Sequence, residues 1–413
     1  FDRVEGAIGV SDGGGAIDLE LTSTDLSATV DGSWSRSTDE PFGLDASLSA
    51  TATSLHDGVR ALLPTGVLSI IDGMEMASDS PLSMSDASLR IASDGAVFEG
   101  VAGFESMDVR VGLRLEDLVG RASINARLRD GQTPEVAVDL SGERALVGGA
   151  QLSDVRARVE TGARFVSEEN GRLADAPGTV YVPSVAASIA GGRLAASGSI
   201  RPDPRSASFE GGAWRADADL SGLDFGRLLG EVSRDPERVA QAPENRGLLD
   251  ANFSLTGRLG NVEAQRGRAL IRVQPAPGSD GTEVLRLPGL IEFVKLSNLQ
   301  APVGEPIDFA YAEAFIEGAV VNLHDLSAES KSVSIKGSGT MTLPDLGLDL
   351  TFTTVVLRDV SLLTEIFERV RNELVTARVG GTLYDPQVEV EQLTATRKLL
   401  DAIIGGEDQR PRP

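Results

Sequence analysis

The chain contains no cysteine and only two histidines among its 413 residues. Without cysteine it has no disulfides and no thiolate ligands, and neither a reducing nor an oxidising compartment is excluded. Aromatic residues make up only 4% of the chain, whereas glycine reaches 46 residues. Small side chains in this proportion favour strongly curved or closely stacked sheets over a bulky core.

Basic residues are also in short supply, with 38 Lys and Arg against 62 Asp and Glu and a formal net charge of −24. Nucleic acid is therefore a poor partner, because phosphate binding needs clustered cations. Electrostatic docking on an anionic bilayer is disfavoured for the same reason. No run of 18 apolar residues predicts a membrane-spanning helix. The sequence starts at Phe1 without a signal peptide, so we expect any targeting or anchoring segment to lie outside it.

What the sequence does contain is alternation, clearest in SVSIKGSGTMTLPDLGLDLTF at 332–352. Apolar residues and glycines fall on one parity and Ser, Thr and Lys on the other, as in a strand with one apolar and one polar face. The pattern restarts after Pro344-Asp345. The sequence therefore predicts a β-hairpin that turns there.

The same alternation recurs at 44–53, 108–116, 122–129, 155–160, 214–220 and 253–259, with Asp-Gly, Gly-Gly and Pro-Asp turns along the chain. Strands with one solvated face favour antiparallel pairing. We predict a mainly β fold, with a long curved antiparallel sheet forming an open groove of repeated hairpins and a few short amphipathic helices. Closed β-sandwiches, with the apolar faces packed on each other, are the alternative.

Three strands are predicted to run into amphipathic helices, at 48–66, at 217–232 and near 359–374. We interpret this as weak internal repetition of a long unit. The segment 233–247 is rich in charge, proline and glycine and predicts a linker or loop. The predicted organisation is a repeated sheet segment at 1–232, this linker, and a C-terminal region at 248–413 that contains the helix near 359–374.

Candidate catalytic and metal-binding residues are few and isolated. His56 and a predicted turn residue, His324, each precede an aspartate, but neighbours in sequence do not face each other and no third ligand is near. Asp217 and Asp219 lie on the polar parity of a predicted strand and lack a calcium-binding loop around them. Ser338 stands between glycines inside a strand pattern, not at a strand-to-helix elbow. We expect no enzyme activity, no metal and no cofactor.

The C-terminal motifs carry a family resemblance. IKGSGTMTLPDLGLDLTFTTV, followed after the predicted helix by ARVGGTLYDPQVEVEQL, resembles the C-terminal region of AsmA-like proteins. The corresponding family features are a glycine-rich strand, an L-P-D-L-x-L-D-L type hairpin at Leu343 to Leu350 and a final G-T-L-x-D-P-x-V-x-V strand at Gly381 to Val390. The resemblance covers about residues 285–395; the remainder shares only alternating strands and glycine turns.

The resemblance implies a non-enzymatic periplasmic protein of diderm bacteria, anchored in the inner membrane by an N-terminal segment. AsmA-like proteins are related to bridge-like lipid transfer proteins. The resemblance therefore implies a role in phospholipid transport between inner and outer membrane or in outer-membrane assembly. The implied partners are phospholipid and the two membranes or their proteins. The alternative is a structural or cell-surface β-sandwich that binds protein partners.

Within that interpretation, one parity of the C-terminal hairpin forms the wall of the lipid-binding groove. Burial of each methylene of an acyl chain against such a wall contributes about 0.8 kcal/mol. The predicted wall residues are Val333, Ile335, Met341, Leu343, Leu346, Leu348, Leu350 and Phe352.

Overall fold

The structure, a computed structural model, describes residues 2–36, 42–55, 60, 71, 76–111, 113–129, 135–161, 179–203, 211–232, 247–276, 308–329, 333–343, 345–356, 375–382 and 386–391. The predicted helix near 359–374, His56 and almost all of the predicted linker lie outside the described residues. The chain divides into two compact units. Unit 1 comprises Phe1–Leu220 and Ser254–Ala264, and unit 2 comprises Ser221–Phe253 and Gln265–Pro413.

Among the described residues there are twenty strands and one helix with defined bounds. The first ten strands are β1 (Arg3–Ile8), β2 (Gly14–Thr22), β3 (Leu26–Ser35), β4 (Gly43–Ala52), β5 (Leu82–Ala92), β6 (Gly95–Val111), β7 (Leu113–Arg129), β8 (Glu135–Val147), β9 (Ala150–Thr161) and β10 (Val180–Ile189). The next are β11 (Gly192–Arg201), β12 (Ala213–Asp224), β13 (Gly247–Arg258), β14 (Asn261–Pro275), β15 (Phe309–Glu317), β16 (Val320–Glu329), β17 (Val333–Thr342), β18 (Gly347–Val356), β19 (Val375–Gly381) and β20 (Pro386–Glu391). The helix is α1 (Phe225–Val232).

Strands pair with their neighbours in the chain. In unit 1, β1 to β11 form an unbroken series of antiparallel pairs. In unit 2, the part of β14 from Arg266 onward pairs with β15, and the series continues to β20. The predicted fold class, a mainly β chain of antiparallel hairpins with little helix, is confirmed within each unit.

The alternation predicted from the sequence sets the two faces of these strands. In β4, the apolar parity at Leu44, Ala46 and Leu48 is half-buried or buried, and the polar parity at Asp45 and Ser47 is exposed. Because side chains alternate across a pleated strand, one face of each hairpin is apolar and the other is solvated.

Three aspartates interrupt this regularity at equivalent places. Asp86, Asp117 and Asp154 have left-handed φ angles of 48°, 52° and 51°. Each lies where the pairing register shifts, which marks a β-bulge. Aspartate adopts this conformation more readily than most residues. The next residue is buried in each case, namely Ala87, Leu118 and Val155. The extra residue switches the parity of the strand, so the apolar side chains before and after it stay on one face.

The helix α1 confirms one of the three predicted strand-to-helix junctions. It begins directly after β12, and the Asp224 carboxylate accepts the backbone N–H of Arg227 at 2.9 Å as an N-cap. Arg227 also binds Glu231 one turn later at 2.8 Å. The side chains of Leu223 and Phe225 are buried at this junction. Of the other two junctions, that at 359–374 and most of that at 48–66 lie outside the described residues.

None of the helices in the described part of the chain is long and apolar enough to cross a membrane.

The left-handed backbone at Asp154 predicts how substitutions there change the free energy of unfolding. Asp154 is exposed, so a substitution there changes backbone strain and little packing. We expect Asp154→Val to lower the free energy of unfolding by about 1–2 kcal/mol relative to Asp154→Gly, because a β-branched residue is strained in the left-handed region. Denaturant unfolding measures the difference. Arg156→Val, at an exposed regular position of the same strand, is the control and should be nearly neutral; equal effects at both positions would contradict a strained bulge.

Candidate functional site

The predicted C-terminal hairpin is present and has the expected register. Strand β17 pairs antiparallel with β18 from Val333 opposite Val356 to Thr342 opposite Gly347. The turn lies between Thr342 and Gly347, where the sequence predicted it. The hairpin prediction is therefore confirmed.

The pairing register brings most of the predicted wall residues onto one face. Met341 lies opposite Leu348, and Phe352 and Leu350 lie opposite Gly337 and Gly339. Ile335 and Leu350 are buried, with 4% and 7% exposure. Four further predicted wall residues are half-buried: Met341, Leu343, Leu348 and Phe352.

The remaining two predicted wall residues are placed differently. Leu346 is half-buried within the turn and has a left-handed φ of 54°. Val333 belongs to β17 and pairs with Val356 by register, but its side chain lies outside the described residues. The eight residues therefore do not form one uniform wall. Their role in lipid contact stays a prediction.

A glycine on this face is covered by an aromatic ring. A Cβ atom added at Gly337 would collide with Cδ1 and Cε1 of Phe352, because the ring lies across the glycine of the neighbouring strand. Trp214 covers Gly257 in unit 1 in the same way. Cross-strand aromatic residues commonly compensate for glycines in sheets by this packing. At these two positions an aromatic ring therefore fills the space beside the glycine. Composition alone would suggest open space there.

The apolar face also extends over strands that sequence reasoning did not include in the site. Ala269, Ala314 and Val321 form a buried cluster on β14, β15 and β16. The half-buried residues that pack against it are Phe253, Ile316, Leu323, Met341 and Leu343. The hairpin β17–β18 thus joins a larger apolar surface through Met341 and Leu343.

The sequence of β15 explains why this part of the surface was missed. FAYAEAFIE alternates alanine with larger residues, so hydrophobicity favours the parity of Phe309, Tyr311 and Phe315. The structure buries the alanines Ala310 and Ala314 instead and leaves Phe315 39% exposed. The compact side chains lie on the inner face because neighbouring strands shield them there.

The outer face of β14–β16 is an aromatic and cationic surface. The guanidinium of Arg268 lies 5.9 Å from the ring centroid of Phe315 and binds the Glu313 carboxylate at 2.6 Å. Arg272 lies 5.9 Å from the ring of Phe309, which stacks on Tyr311 at 6.5 Å. Cations over aromatic faces stabilise such arrangements modestly. We call Arg268, Arg272, Phe309, Tyr311 and Phe315 the aromatic–arginine surface.

His324 borders this surface and corrects one sequence-based prediction. It does not lie in a turn but inside β16, at a register shift between β15 and β16. Its ring meets that of Phe315 edge-on at 6.1 Å. The bulge explains the sequence His324-Asp325, because two polar residues in a row switch the strand parity just as they do in unit 1.

On the apolar face of β2 to β5, several small side chains are more deeply buried than larger ones, whereas Leu118, Leu152 and Trp214 are buried elsewhere in unit 1. The alanines Ala28, Ala46 and Ala87 are buried, whereas Leu19, Val30 and Leu48 are only half-buried. In a dry sandwich core the large side chains interlock and are buried first. The burial pattern of β2 to β5 therefore fits a face that is covered mainly by the neighbouring strands of the same sheet.

A polar cleft of about 510 Å³ lies on the opposite face of β5–β9, and several of its polar side chains pair with one another. Asn125 donates to the Glu99 carboxylate at 2.7 Å. Arg158 binds Asp139 at 3.2 Å and Glu160 at 2.5 Å.

Asp217, which the sequence analysis considered as a calcium ligand, forms an ion pair with a neighbouring arginine. Arg215 binds the Asp217 carboxylate at 2.8 Å, and the Ser254 hydroxyl donates to it at 2.6 Å. The hydrogen bond from Arg215 holds the pKa of the Asp217 carboxyl below its usual value, against the opposing effect of partial burial. Within the described part of the chain, no group of three or more His, Asp or Glu side chains is arranged to hold a metal ion.

The lowered pKa of Asp217 predicts a specific pH dependence. Because the folded-state pKa lies below the unfolded value of about 3.9, the ion pair stabilises the fold above that pH and loses its contribution as the pH falls further. Asp217→Asn should therefore differ most from the wild type at neutral pH and converge with it in acid. Unfolding free energies across this range measure the effect, with the exposed Asp31→Asn as control. A difference that is independent of pH would contradict the assignment.

The contact between Phe352 and Gly337 predicts that substitutions at these two positions have coupled effects on stability. Gly337→Ala should lower the free energy of unfolding by about 1–3 kcal/mol, because the new methyl group displaces the ring. In a Phe352→Leu background the same substitution should cost less, with a coupling of about 0.5 kcal/mol or more. Ser338→Ala, on the opposite face one residue away, is the control. Strict additivity in the double-mutant cycle would show that the ring does not cover the glycine in solution.

Comparisons of the chain with protein-family models, with curated proteins and with solved structures find no match.

Proposed function

We propose that the apolar face of the C-terminal strands binds the acyl chains of phospholipids. In this proposal the protein is a non-enzymatic periplasmic protein of the AsmA-like type. It supports phospholipid transport between inner and outer membrane or outer-membrane assembly, and an N-terminal segment outside these residues anchors it to the inner membrane.

One observation carries the proposal: large apolar side chains on this face are only half-buried. Met341, Leu348 and Phe352 keep part of their surface accessible although they share the face with buried Ile335 and Leu350. Contact with acyl chains would remove this surface from water, at about 25 cal/mol per Å² of apolar area. Polar head groups would meet no matching charge on such a face and would stay in water.

Two further features support the proposal. The resemblance of 343–350 and 381–390 to AsmA-like sequences points to the same activity. The half-buried leucines and valines of unit 1 provide a second surface of the same kind, at Leu19, Val30 and Leu48. A protein that moves lipids needs apolar surface that is not consumed by its own core.

Leu348 and Thr351 provide a matched pair of substitutions. Leu348 is half-buried on the apolar face, and Thr351 is exposed on the opposite face of the same strand. We expect Leu348→Glu to reduce crosslinking of a phospholipid with a photoreactive acyl chain several-fold, because a carboxylate on the wall excludes the chain. Thr351→Glu should leave crosslinking unchanged. Leu350 is unsuitable because it is buried, and a charge there would unfold the hairpin whatever the face binds.

The melting temperature of each variant completes the experiment. A folded Leu348→Glu protein with lost crosslinking is the expected result. Unfolding of Leu348→Glu would place this residue in a dry core and contradict an accessible face. A wild type that captures no lipid, or an equal loss in Thr351→Glu, would also contradict the proposal.

A second candidate function rests on the aromatic–arginine surface. Exposed Phe315 with Arg268 and Arg272 has the residue types that are enriched at the centres of protein interfaces. This surface favours the alternative of a structural protein that binds protein partners. It lies on the face opposite to the proposed lipid wall, so the two functions are compatible and separable. Phe315→Ala would leave lipid crosslinking intact.

A further inference from the structure

The outer face of β14–β16 carries three columns of side chains with different chemistry. The cationic column is Arg268 and Arg272 on β14, and the acidic column is Asp325 and Glu329 on β16. The rings of the aromatic–arginine surface lie on β15, between these columns. From Arg266 onward β14 contains no Asp or Glu, and β16 contains no Lys or Arg. The face therefore changes from cationic through aromatic to acidic over three neighbouring strands.

The register of β15 with β16 places the acids on the same face as the rings. Glu329 lies opposite Phe309, and Asp325 lies opposite Glu313. Residues directly opposite each other in an antiparallel pair project to the same side of the sheet. Phe309 and Glu313 are residues that contact the two arginines, so both charged columns belong to one face.

Charges of both signs on this face have no ionic partner within the described part of the chain. The guanidinium of Arg272 rests on the ring of Phe309 and binds no carboxylate there. Asp325 and Glu329 are exposed and bind no basic side chain of the described residues. Asp325 also lies opposite Glu313, and like charges in this position destabilise a sheet. The acidic column is thus suited to receive a cation from outside its own sheet.

The two charged columns have matching positions along the strands. In each column the charged residues are four positions apart, about 13 Å along the strand. Arg272 pairs with Tyr311, which lies midway between the two β15 residues that pair with Glu329 and Asp325. Arg272 is therefore level with the midpoint of the acidic column. The columns lie two strand spacings apart, about 10 Å, and the rings between them keep the two columns of one chain apart.

This order of columns is self-complementary under one symmetry. A two-fold axis parallel to β15, between two copies placed face to face, brings β14 of each copy over β16 of the other. It leaves positions along the strand unchanged, so Arg272 of one copy lies between Asp325 and Glu329 of the other. A two-fold axis across the strands would instead place arginines on arginines.

We propose that the outer face of β14–β16 is the interface of a homodimer, formed with the same face of a second copy of this chain. The rings of β15 from both copies meet at the centre, where aromatic residues and arginine contribute most to association. The arginine and acidic columns pair on either side of the rings. Packed sheets lie about 10 Å apart, so arginine side chains and carboxylates reaching from opposite copies meet between them.

The inference rests on the second candidate function, the binding of a protein at the aromatic–arginine surface, and names the partner. It does not depend on lipid binding, because the apolar wall lies on the opposite face of these strands. The homodimer and the lipid wall are therefore tested separately.

Sedimentation equilibrium of the full chain measures the association. At about 0.15 M salt, repulsion between two chains of net charge −24 is screened beyond about 8 Å, whereas contacts inside the interface are retained. We expect a reversible equilibrium between monomer and dimer. Arg272→Glu should raise the dissociation constant at least tenfold, because the new carboxylate faces the acidic column. Arg121→Glu makes the same change of charge at an exposed arginine of unit 1 and should leave the dissociation constant unchanged.

Mixing two charge variants tests the symmetry of the interface. The double variant Asp325→Arg with Glu329→Arg should also be monomeric, because it places guanidinium groups opposite Arg272. An equimolar mixture of this variant with Arg272→Glu should form a heterodimer, since every column then faces a column of opposite charge. Two variants that merely misfold would not restore each other.

Phe315→Ala tests the centre of the interface. The ring is 39% exposed, so its removal should leave the melting temperature of the monomer almost unchanged. The dissociation constant should rise at least tenfold, because the centre of the interface loses an aromatic contact. Crosslinking of a photoreactive phospholipid should be the same as in the wild type.

Four results would overturn the homodimer. A wild type that stays monomeric at its highest soluble concentration would show that the face does not bind itself. A dimer that survives both Arg272→Glu and Phe315→Ala would place the interface elsewhere. Equal dissociation by Arg121→Glu would make net charge the cause. A mixture of the two folded charge variants that stays monomeric would show that the columns do not face each other.

The same variants distinguish failure of the homodimer from failure of the second candidate function. If the wild type is monomeric but captures a different protein, and Phe315→Ala abolishes that capture, the homodimer is wrong and the second candidate function stands. Without such capture both are wrong.

Discussion

Backbone hydrogen bonding between strands that are adjacent in the chain is the constraint on which the rest of this structure depends. The extensive contacts of β1 to β11 and of β15 to β20 are with their neighbours in sequence. A strand satisfies its donors and acceptors in the plane of the sheet, but its side chains gain cover only from the strands beside it. In β4, for example, the small side chain of Ala46 is buried and the larger one of Leu48 remains half-buried. The accessible apolar surface is a consequence of this mode of pairing.

The bulges preserve that surface along the strands. A strand that gains one residue would otherwise turn its apolar side chains to the solvent. At Asp86, Asp117 and Asp154 two polar residues in succession absorb the extra position, and a buried residue follows. The bulge at His324-Asp325 does the same in unit 2. The geometry of this bulge accounts for the two successive polar residues, His324 and Asp325.

The two faces of unit 2 have different physical characters. The inner face, around Ala269, Ala314 and Val321, is apolar and accessible only in part. The outer face around Phe315 combines aromatic rings with guanidinium groups. An acyl chain suits the first, because transfer of methylenes from water needs no specific partner. A protein surface suits the second, because rings and guanidinium groups give directional contacts.

The sequence by itself determined the period of two, and with it the strands, the hairpin at 333–356, the polar and apolar parities and the junction of β12 with α1. These features are local, since alternation and capping act over a few residues. Only the tertiary structure decided which parity of β15 faces inward. The burial of Ala314 and the exposure of Phe315 depend on the neighbouring strands β14 and β16, and not on the hydrophobicity of the two side chains. The same holds for the ring of Phe352 over Gly337 and for that of Trp214 over Gly257. Each depends on which strand lies alongside, and a single strand's sequence does not record its neighbour.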